Sequence, residues 1–314
     1  MKAVIRSKYG SPEVLSLEER EMPVPGAGEI LVKVYAATVN RTDCAILSAK
    51  PFLMRFFTGF FVPKLKTMGT DFAGQIVAVG ENVSGFALGD RVWGFNGLGS
   101  CSHAEYTSIP ANGPVILIPD TVTYEQAAAS AEAAYYAIDM VDMVGPMATQ
   151  KALVNGATGA IGSATVQFLK YYGLYVTAVC HSDHTALVQS LGADKIIAYN
   201  QVDFTKDKEQ YDLVFDAVGK SSFGYCKLLL KEKGVFASTE PNIFQVLISL
   251  ILGGKKYKFR PPKDTKAALT KIKGLLETGR FRPVIDRRYT LKEIVSAYEY
   301  VASGQKIGNV MLIL

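Results

Sequence analysis

The N-terminal part of the chain alternates short apolar, β-branched runs with Gly and Pro, the pattern of half-buried β-strands joined by turns. We predict strands at 2–7, 30–36, 74–79, 91–94, 104–109 and 115–118. This region is therefore expected to be mostly β.

From residue 123 the pattern changes to strand-length apolar runs that alternate with helix-length amphipathic segments. Helices are predicted at 124–143, 161–172, 185–191, 266–276 and 291–303, and strands at 151–154, 175–179, 195–198, 213–216, 234–237 and 309–314. Alternating strands and helices form βαβ units, so we expect a parallel sheet with both faces covered.

The composition is that of a folded protein, with 314 residues that are 49% hydrophobic and 20% charged, a length at which two domains are expected. The 34 Lys and Arg residues outnumber the 29 Asp and Glu residues, but they are scattered apart from a short cluster at 255–263. We interpret that cluster as a solvated surface and predict no nucleic-acid partner.

The four cysteines lie far apart and form no CxxC pair, which argues against a disulfide framework and favours a cytoplasmic location. The N-terminal residues lack the apolar run of a signal peptide. The longest apolar stretch, 243–252, is about half the roughly 20 residues that a membrane span requires. We predict a buried or lid helix there and no membrane span.

Three glycines, Gly156, Gly159 and Gly162, follow a predicted strand and precede a predicted amphipathic helix. Glycine allows a tight turn and a close approach of the backbone to a pyrophosphate, and the helix N-terminus offers free N–H groups. We predict a dinucleotide site. The alternative is a tight turn that binds no ligand.

The strand after this turn ends in Cys180-His181-Ser182, where an NAD enzyme normally presents Asp or Glu to the adenine ribose. Without the carboxylate a 2′-phosphate is not repelled, and Ser182 and His184 are candidate donors to it. We therefore predict NADP, with NADPH preferred over NADH. Asp183 leaves the alternative open, since its side chain would face either the ribose or solvent.

An ordered series of motifs runs along nearly the whole chain: GTDFAG at 69–74, GDRV at 89–92, EQAAA at 125–129, the glycine turn at 156–162, LGAD at 191–194, DAVG at 216–219 and GNVML at 308–312. This series resembles the medium-chain dehydrogenase/reductases, and within them the zinc-free quinone oxidoreductase branch. The resemblance implies a Rossmann doubly wound parallel sheet domain at 123–261 and a GroES-like β-rich catalytic domain assembled from 1–122 and 262–314. It also implies a homodimer.

The resemblance further implies that no zinc is bound. Catalytic zinc needs about three ligands drawn from Cys, His and carboxylate. Where the zinc alcohol dehydrogenases carry their first two ligands, this chain has Asn40 and Thr70. The cysteines of a structural zinc lobe are also missing, so we predict no metal.

By its match to the family, Asn40 is the predicted donor to the substrate carbonyl, because an amide offers N–H groups without a proton shift. The alternative is an Asn that satisfies a turn. Asp43 is expected to orient Asn40 or to close a loop. No general acid is identified, and protonation is expected from solvent.

The resemblance assigns the pyrophosphate to the helix N-terminus, the 2′-phosphate to two residues after the second strand, the adenosine phosphate to a tyrosine and the nicotinamide ribose to the DAVG motif. The residues are Gly156, Gly159, Ala160, Ile161, Gly162, Ser182, His184, Tyr199, Val218 and Gly219.

The segment 50–66, which follows Asp43, contains Phe52, Phe56, Phe57, Phe60 and Phe61. Such a cluster belongs either to the core or to the substrate-facing loop that the family places here. If it lines the cleft, the substrate is flat and apolar, and 243–252 is a candidate for the opposing wall.

We expect a metal-free NAD(P)H-dependent reductase of a small apolar quinone or α,β-unsaturated carbonyl, because such acceptors need no Lewis acid. Two alternatives remain. One is a zinc-free, alcohol dehydrogenase-like reductase of another carbonyl, and the other is a cofactor-binding regulatory protein with little turnover.

Overall fold

The computed structural model describes residues 1–52, 54–97, 99, 101–239, 244, 246–247, 254–259 and 263–314. Contacts group them into two compact units. Unit 1 comprises Met1–Glu132, Thr265–Glu277 and Ile285–Leu314, and unit 2 comprises Ala133–Asp264 and Thr278–Val284. The domain limits near 122 and 261 stay predictions of the sequence.

The strands in the described residues are β1 Lys2–Arg6, β2 Leu15–Glu19, β3 Glu29–Val39, β4 Asp71–Val79, β5 Arg91–Phe95, β6 Tyr106–Pro110, β7 Val115–Leu117, β8 Lys151–Asn155, β9 Tyr175–Cys180, β10 Lys195–Ala198, β11 Tyr211–Asp216, β12 Leu230–Ser238, β13 Lys256–Lys258, β14 Ile285–Thr290 and β15 Asn309–Ile313.

The α-helices are α1 Arg41–Ser48, α2 Met54–Thr58, α3 Tyr124–Ala129, α4 Glu132–Val144, α5 Ala160–Tyr171, α6 Thr185–Ser190, α7 Phe223–Cys226, α8 Thr265–Glu277 and α9 Ile294–Ser303. Short 3-10 turns lie at Pro12–Val14, Ser182–His184, Phe204–Lys206, Lys227–Leu229 and Leu291–Glu293. None of the helices in the described part of the chain is long and apolar enough to cross a membrane.

Unit 1 is built on a seven-stranded sheet in the order β14-β15-β3-β4-β5-β7, with β6 also paired to β3. Strand β3 is its centre, because it pairs antiparallel with β4, β6 and β15 and most of its side chains are buried. The register sets Ala36 opposite Ala73, so the end of β3 lies beside the start of β4. Asn40, which follows β3, is thereby brought close to Asp71, which begins β4.

Unit 2 contains a six-stranded sheet in the order β10-β9-β8-β11-β12-β13, in which every pairing is parallel. Asn155 at the end of β8 is in register with Val179 of β9 and with Asp216 of β11. The carboxyl ends of these strands therefore meet at one edge, where ligands bind in open α/β sheets. The predicted α/β fold with a doubly wound parallel sheet is confirmed.

The helix expected at 124–143 is interrupted, and that prediction was wrong in this detail. Ser130 donates its hydroxyl to the Gln126 carbonyl at 2.6 Å, and the N–H groups of Ser130 and Ala131 bond carbonyls three residues back. This tightened last turn ends α3, and the chain restarts a helix at Glu132. The break matters because it places Glu132 in the interior of unit 1.

Candidate functional site

The glycine turn of unit 2 has the tight geometry that a dinucleotide site requires. Gly156 has φ +79°, and a Cβ there would lie 2.0 Å from Val218 Cγ2. A Cβ on Gly162 would lie 2.1 Å from the Gly156 carbonyl oxygen. These two glycines let the turn close and α5 pack against the turn.

Gly159 differs, because it is the N-cap of α5 and the nearest atom to a Cβ built there is the Gly156 oxygen at 3.5 Å. Its φ of −69° is open to any residue. No side chain caps the helix, so the N–H groups of its first turn, at Ala160, Ile161 and Gly162, are disposed to bind an anion. The residues present thus fit a pyrophosphate.

The candidate 2′-phosphate residues lie in the turn after β9. Ser182 is fixed by Asn200, whose Oδ1 accepts from the Ser182 N–H at 3.0 Å and whose Nδ2 donates to Ser182 Oγ at 3.1 Å. The Asp183 side chain is 74% exposed and lies 3.4 Å from His181 Nδ1. His184 forms the C-terminal end of the same 3-10 turn. Sequence reasoning missed Asn200, although it follows the neighbouring strand β10.

Tyr199, predicted on the adenosine phosphate side, is half-exposed and lies edge-on to His181 with ring centroids 5.8 Å apart. Its N–H donates to the Cys180 carbonyl at 3.0 Å, which ties the ends of β9 and β10 together.

The turn at Val218 and Gly219 is held by the buried side chain of Asp216. Its Oδ1 accepts from Asn155 Nδ2 at 3.1 Å and from the Val218 N–H at 3.2 Å. Burial raises the pKa of Asp216. Gly219 has φ +72°, a conformation that favours glycine. Asn155 and Asp216 therefore fix the DAVG turn beside the glycine turn.

Asn40 and Asp43 of unit 1 lie together at the start of α1. The Asn40 N–H donates to Asp43 Oδ2 at 2.8 Å, as in a capping box. Asp43 is fully buried, and its Oδ1 has no hydrogen-bond partner within the described part of the chain. The structure thus places Asp43 where it orients the Asn40 backbone.

The Asn40 amide points into a cluster of buried acids that the sequence did not reveal. Its Nδ2 lies 2.9 Å from Glu132 Oε2, 3.0 Å from Asp71 Oδ2 and 2.5 Å from Thr38 Oγ1. Both acids are buried. The predicted donor to a substrate oxygen therefore faces protein acceptors here, and its catalytic role stays a prediction.

Hydroxyl groups complete this carboxyl cluster, which we define as Asp43, Asp71 and Glu132. Thr70 donates to Glu132 Oε2 at 2.7 Å, and Thr42 donates to Glu132 Oε1. The Thr38 N–H donates to Asp71 Oδ1 at 2.7 Å, and its hydroxyl donates to Asp71 Oδ2. Each of the two acids that face Asn40 thus accepts at least two further hydrogen bonds, Asp71 from Thr38 and Glu132 from Thr42 and Thr70.

Burial dominates the electrostatics of the carboxyl cluster. It raises the pKa of Asp71 to about 8 and that of Asp43 well above its usual range, with repulsion from Glu132 adding to both shifts. Burial also raises the pKa of Glu132. Lys306, whose Nζ donates to the Gly308 carbonyl at 2.7 Å, has its pKa lowered by burial to about 8. Asp71 accordingly retains its proton at neutral pH.

Asp71→Asn should flatten the pH dependence of stability. A carboxyl whose pKa is about 8 when folded and 3.8 when unfolded keeps its proton only in the folded state, so stability falls as pH rises through that window. The slope is about 1.4 kcal/mol per pH unit for each proton retained. We expect the wild-type melting temperature to fall between about pH 5 and about pH 7, and to fall less in Asp71→Asn.

The control for this experiment is Asp183→Asn, which removes an exposed carboxyl. A pH profile that is the same in Asp71→Asn and in the wild type would contradict the raised pKa of Asp71. Lys306 does not contribute to the slope between about pH 5 and about pH 7. Its pKa is lowered from 10.5 to about 8, so it makes stability fall only as pH is lowered from 10.5 toward about 8.

The residues of this region do not fit a catalytic zinc. Asn40 and Thr70 offer an amide and a hydroxyl in place of the first two ligands, and both bind the carboxyl cluster. His103 is also engaged, with Nε2 2.9 Å from the Thr38 carbonyl and Nδ1 3.2 Å from the Tyr298 hydroxyl. Within the described ranges, no three His, Cys, Asp or Glu side chains are placed to hold a metal ion.

The described phenylalanines of the segment 50–66 are exposed, whereas most of 243–252, predicted as a helix and a cleft wall, lies outside the described residues. The side chain of Phe57 is likewise outside the description.

Comparison with known proteins matches most of the chain to two protein families. Residues 26–120 match the alcohol dehydrogenase GroES-like domain, and residues 191–312 match the zinc-binding dehydrogenase family. The chain is 30% identical to 2-methylene-furan-3-one reductase of Solanum lycopersicum, covering 99% of this chain and 79% of that protein. It is 28% identical to quinone oxidoreductase of Sus scrofa, covering 100% and 98%.

Among solved structures, the quinone oxidoreductase from Coxiella burnetii superposes with a TM-score of 0.88 at 24% identity, covering 100% of this chain and 99% of that one. The predicted GroES-like and Rossmann folds are thereby confirmed. The chain belongs to the medium-chain dehydrogenase/reductase superfamily, in its quinone oxidoreductase branch.

Proposed function

We propose that this NAD(P)H oxidoreductase uses NADPH to reduce a quinone or an α,β-unsaturated carbonyl without a metal ion. The observation that carries the proposal is that Asn40 and Thr70 replace two zinc ligands and are hydrogen-bonded into the carboxyl cluster. A site without a Lewis acid suits acceptors that accept hydride easily. The names of the tomato and pig relatives are consistent with such acceptors.

The cofactor, when bound, supplies the hydride. The first turn of α5 at 160–162 would hold its pyrophosphate, with Gly156 and Gly159 forming the turn below it. Ser182 and His184 would bind a 2′-phosphate, which supports NADPH over NADH, while Tyr199, Val218 and Gly219 would contact the remainder. The Ser182 hydroxyl donates to Asp183 Oδ1 at 3.3 Å, so binding of the phosphate in this proposal requires the exposed Asp183 side chain to turn toward solvent.

On the acceptor side, the Asn40 amide would donate to the carbonyl oxygen, and Asp43 would hold the Asn40 backbone in place. Reduction of a carbonyl or enone also consumes one proton, which solvent supplies in this proposal. Donating to substrate requires the Asn40 N–H groups to exchange a carboxyl partner for the substrate oxygen. The predicted homodimer and cytoplasmic location stay predictions.

The test follows the loss of NADPH absorbance with a quinone, an enone and a saturated aldehyde in parallel, with and without a strong chelator. We expect turnover of the quinone and the enone that the chelator leaves unchanged. We expect NADH to be poorer in kcat/KM by about tenfold or more, since a hydrogen bond to a charged group contributes about 1.5 kcal/mol or more.

Three results would count against this function. Loss of activity in chelator would contradict metal independence, and a preference for the aldehyde would favour the alcohol dehydrogenase-like alternative. Cofactor binding without turnover of any acceptor would favour a regulatory protein.

A further inference from the structure

Unit 1 displays a cluster of phenylalanines on its surface. Phe52, Phe56 and Phe61 are 59%, 61% and 84% exposed. Each lies edge-on to Phe60, with ring centroids 5.8, 5.7 and 5.0 Å away. Val62 and Leu65 continue the exposed apolar surface. Neither core packing nor a solvated loop explains so much aromatic area in water.

Polar contacts hold this surface in a defined shape. The Tyr9 hydroxyl donates to the Gly59 carbonyl at 2.6 Å and lies 2.8 Å from Thr58 Oγ1. The Arg55 guanidinium lies 4.8 Å from the Tyr9 ring and donates to the Phe60 carbonyl at 3.1 Å. The phenyl groups are therefore presented by an anchored segment, which reduces the entropy lost on docking.

The charged residues of the same segment are all basic. Lys50, Arg55, Lys64 and Lys66 lie within it, and the chain from Cys44 to Thr70 contains no Asp or Glu. Lys50, Lys64 and Lys66 are exposed. The partner that complements this segment is therefore both apolar and anionic.

We propose that the segment 50–66 docks on an anionic lipid bilayer, with its phenyl groups in the headgroup region and its cations beside lipid phosphates. Aromatic side chains favour the membrane interface, and exposed Lys and Arg are attracted to acidic lipids. A second copy of the chain fits less well, because a two-fold contact would set these like charges against one another. Such docking would bring the protein to acceptors dissolved in the bilayer.

The test measures co-sedimentation of the full chain with vesicles of phosphatidylcholine alone or mixed with phosphatidylglycerol, at low and high salt. We expect binding to the mixed vesicles that high salt weakens. Phe56→Ser with Phe61→Ser should lower the partition coefficient about tenfold or more. Lys64→Glu with Lys66→Glu should lower it by about tenfold on the anionic vesicles.

Matched double variants in unit 2 provide the controls. Tyr225→Ser with Leu228→Ser changes two side chains that are 71% and 77% exposed, and Lys208→Glu with Lys233→Glu changes two exposed cations. Both should bind vesicles as the wild type does. Melting temperatures establish that every variant is folded.

Four results would overturn the proposal. The first two are no binding of the wild type to anionic vesicles, and equal binding by the variants in 50–66 and the unit 2 controls. The third is a variant in 50–66 whose molar mass in solution, measured by analytical ultracentrifugation, differs from that of the wild type. The fourth is a variant in 50–66 with an altered KM for a water-soluble quinone without lipid. The third would assign the surface to a contact between copies, and the fourth to the substrate site.

Discussion

Gly159→Val should abolish NADPH binding while the unliganded protein stays folded. A Cβ at this position meets nothing closer than 3.5 Å, and φ is −69°, so the fold accepts a side chain. The side chain would occupy the space over the α5 N-terminus that the pyrophosphate requires. We expect the Kd for NADPH to rise at least about 100-fold, which removes about 2.3 kcal/mol of the roughly 2.7 kcal/mol by which NADPH at 100 times the wild-type Kd stabilises the protein.

Titration and thermal melting with and without NADPH measure this effect. The matched control is Gly274→Val, because Gly274 lies in α8 of unit 1 with no atom within 4 Å of a Cβ. The unliganded Gly159→Val protein should lose less than about 1 kcal/mol, the scale of an N-cap change. An unchanged Kd for NADPH in Gly159→Val would contradict binding of the pyrophosphate at the N-terminus of α5.

Asn40→Ala should lower kcat and kcat/KM together, as expected when an interaction made in the transition state is lost. Loss of one preorganised hydrogen-bond donor to the transition state typically lowers kcat about 10²-fold. Quinones need less polarisation, so about tenfold is the smallest effect expected. NADPH affinity should stay nearly unchanged, because the residues assigned to the cofactor belong to unit 2.

The structure adds a cost in stability to this variant. Asn40→Ala removes a donor from the buried Asp71 and Glu132, for which we expect a loss of about 1–3 kcal/mol. Thr70→Val is the matched control, because it removes a donor from Glu132 and leaves the Asn40 amide in place. Steady-state rates and melting temperatures of both variants separate the role of Asn40 as a donor to the substrate from its role in stabilising the carboxyl cluster.

Two outcomes would contradict the role of Asn40. Wild-type kinetics in Asn40→Ala would make it a turn residue. Equal loss of activity in Thr70→Val would show that the intact cluster matters and that the amide has no separate function.

The sheet of unit 2 was predictable because its signals are local. Strand β8, the glycine turn and helix α5 each carry their own apolar period and turn residues. Strands β2, β13 and β14 were not predicted, since their sequences LSLEE, KYK and IDRRYT are polar and become strands through a paired neighbour. Helices α1, α2 and α7 were also missed.

The carboxyl cluster was predictable only in part. Asn40 and Asp43 were found through a motif, whereas Asp71 was seen as part of GTDFAG without a role. Glu132 stands alone in the Ala-rich stretch ASAEAAYYA, and a single acid among apolar residues was the available signal. Its partners are far away in sequence, and the break that separates α3 from α4 depends on a Ser130 side-chain bond.

The carboxyl cluster also constrains how this protein can evolve. Its members come from α1, β4 and α4 and one of its donors, Thr38, from β3, and each hydrogen bond joins residues that mutate independently. Residues that share a buried network have non-additive substitution effects. Placing Cys at Asn40 and His at Thr70 would introduce two side chains that can bind zinc, but it would remove one donor from the buried Asp71 and two from the buried Glu132. Substitution toward a metal site would therefore pass through destabilised intermediates, so these positions are expected to change as a set.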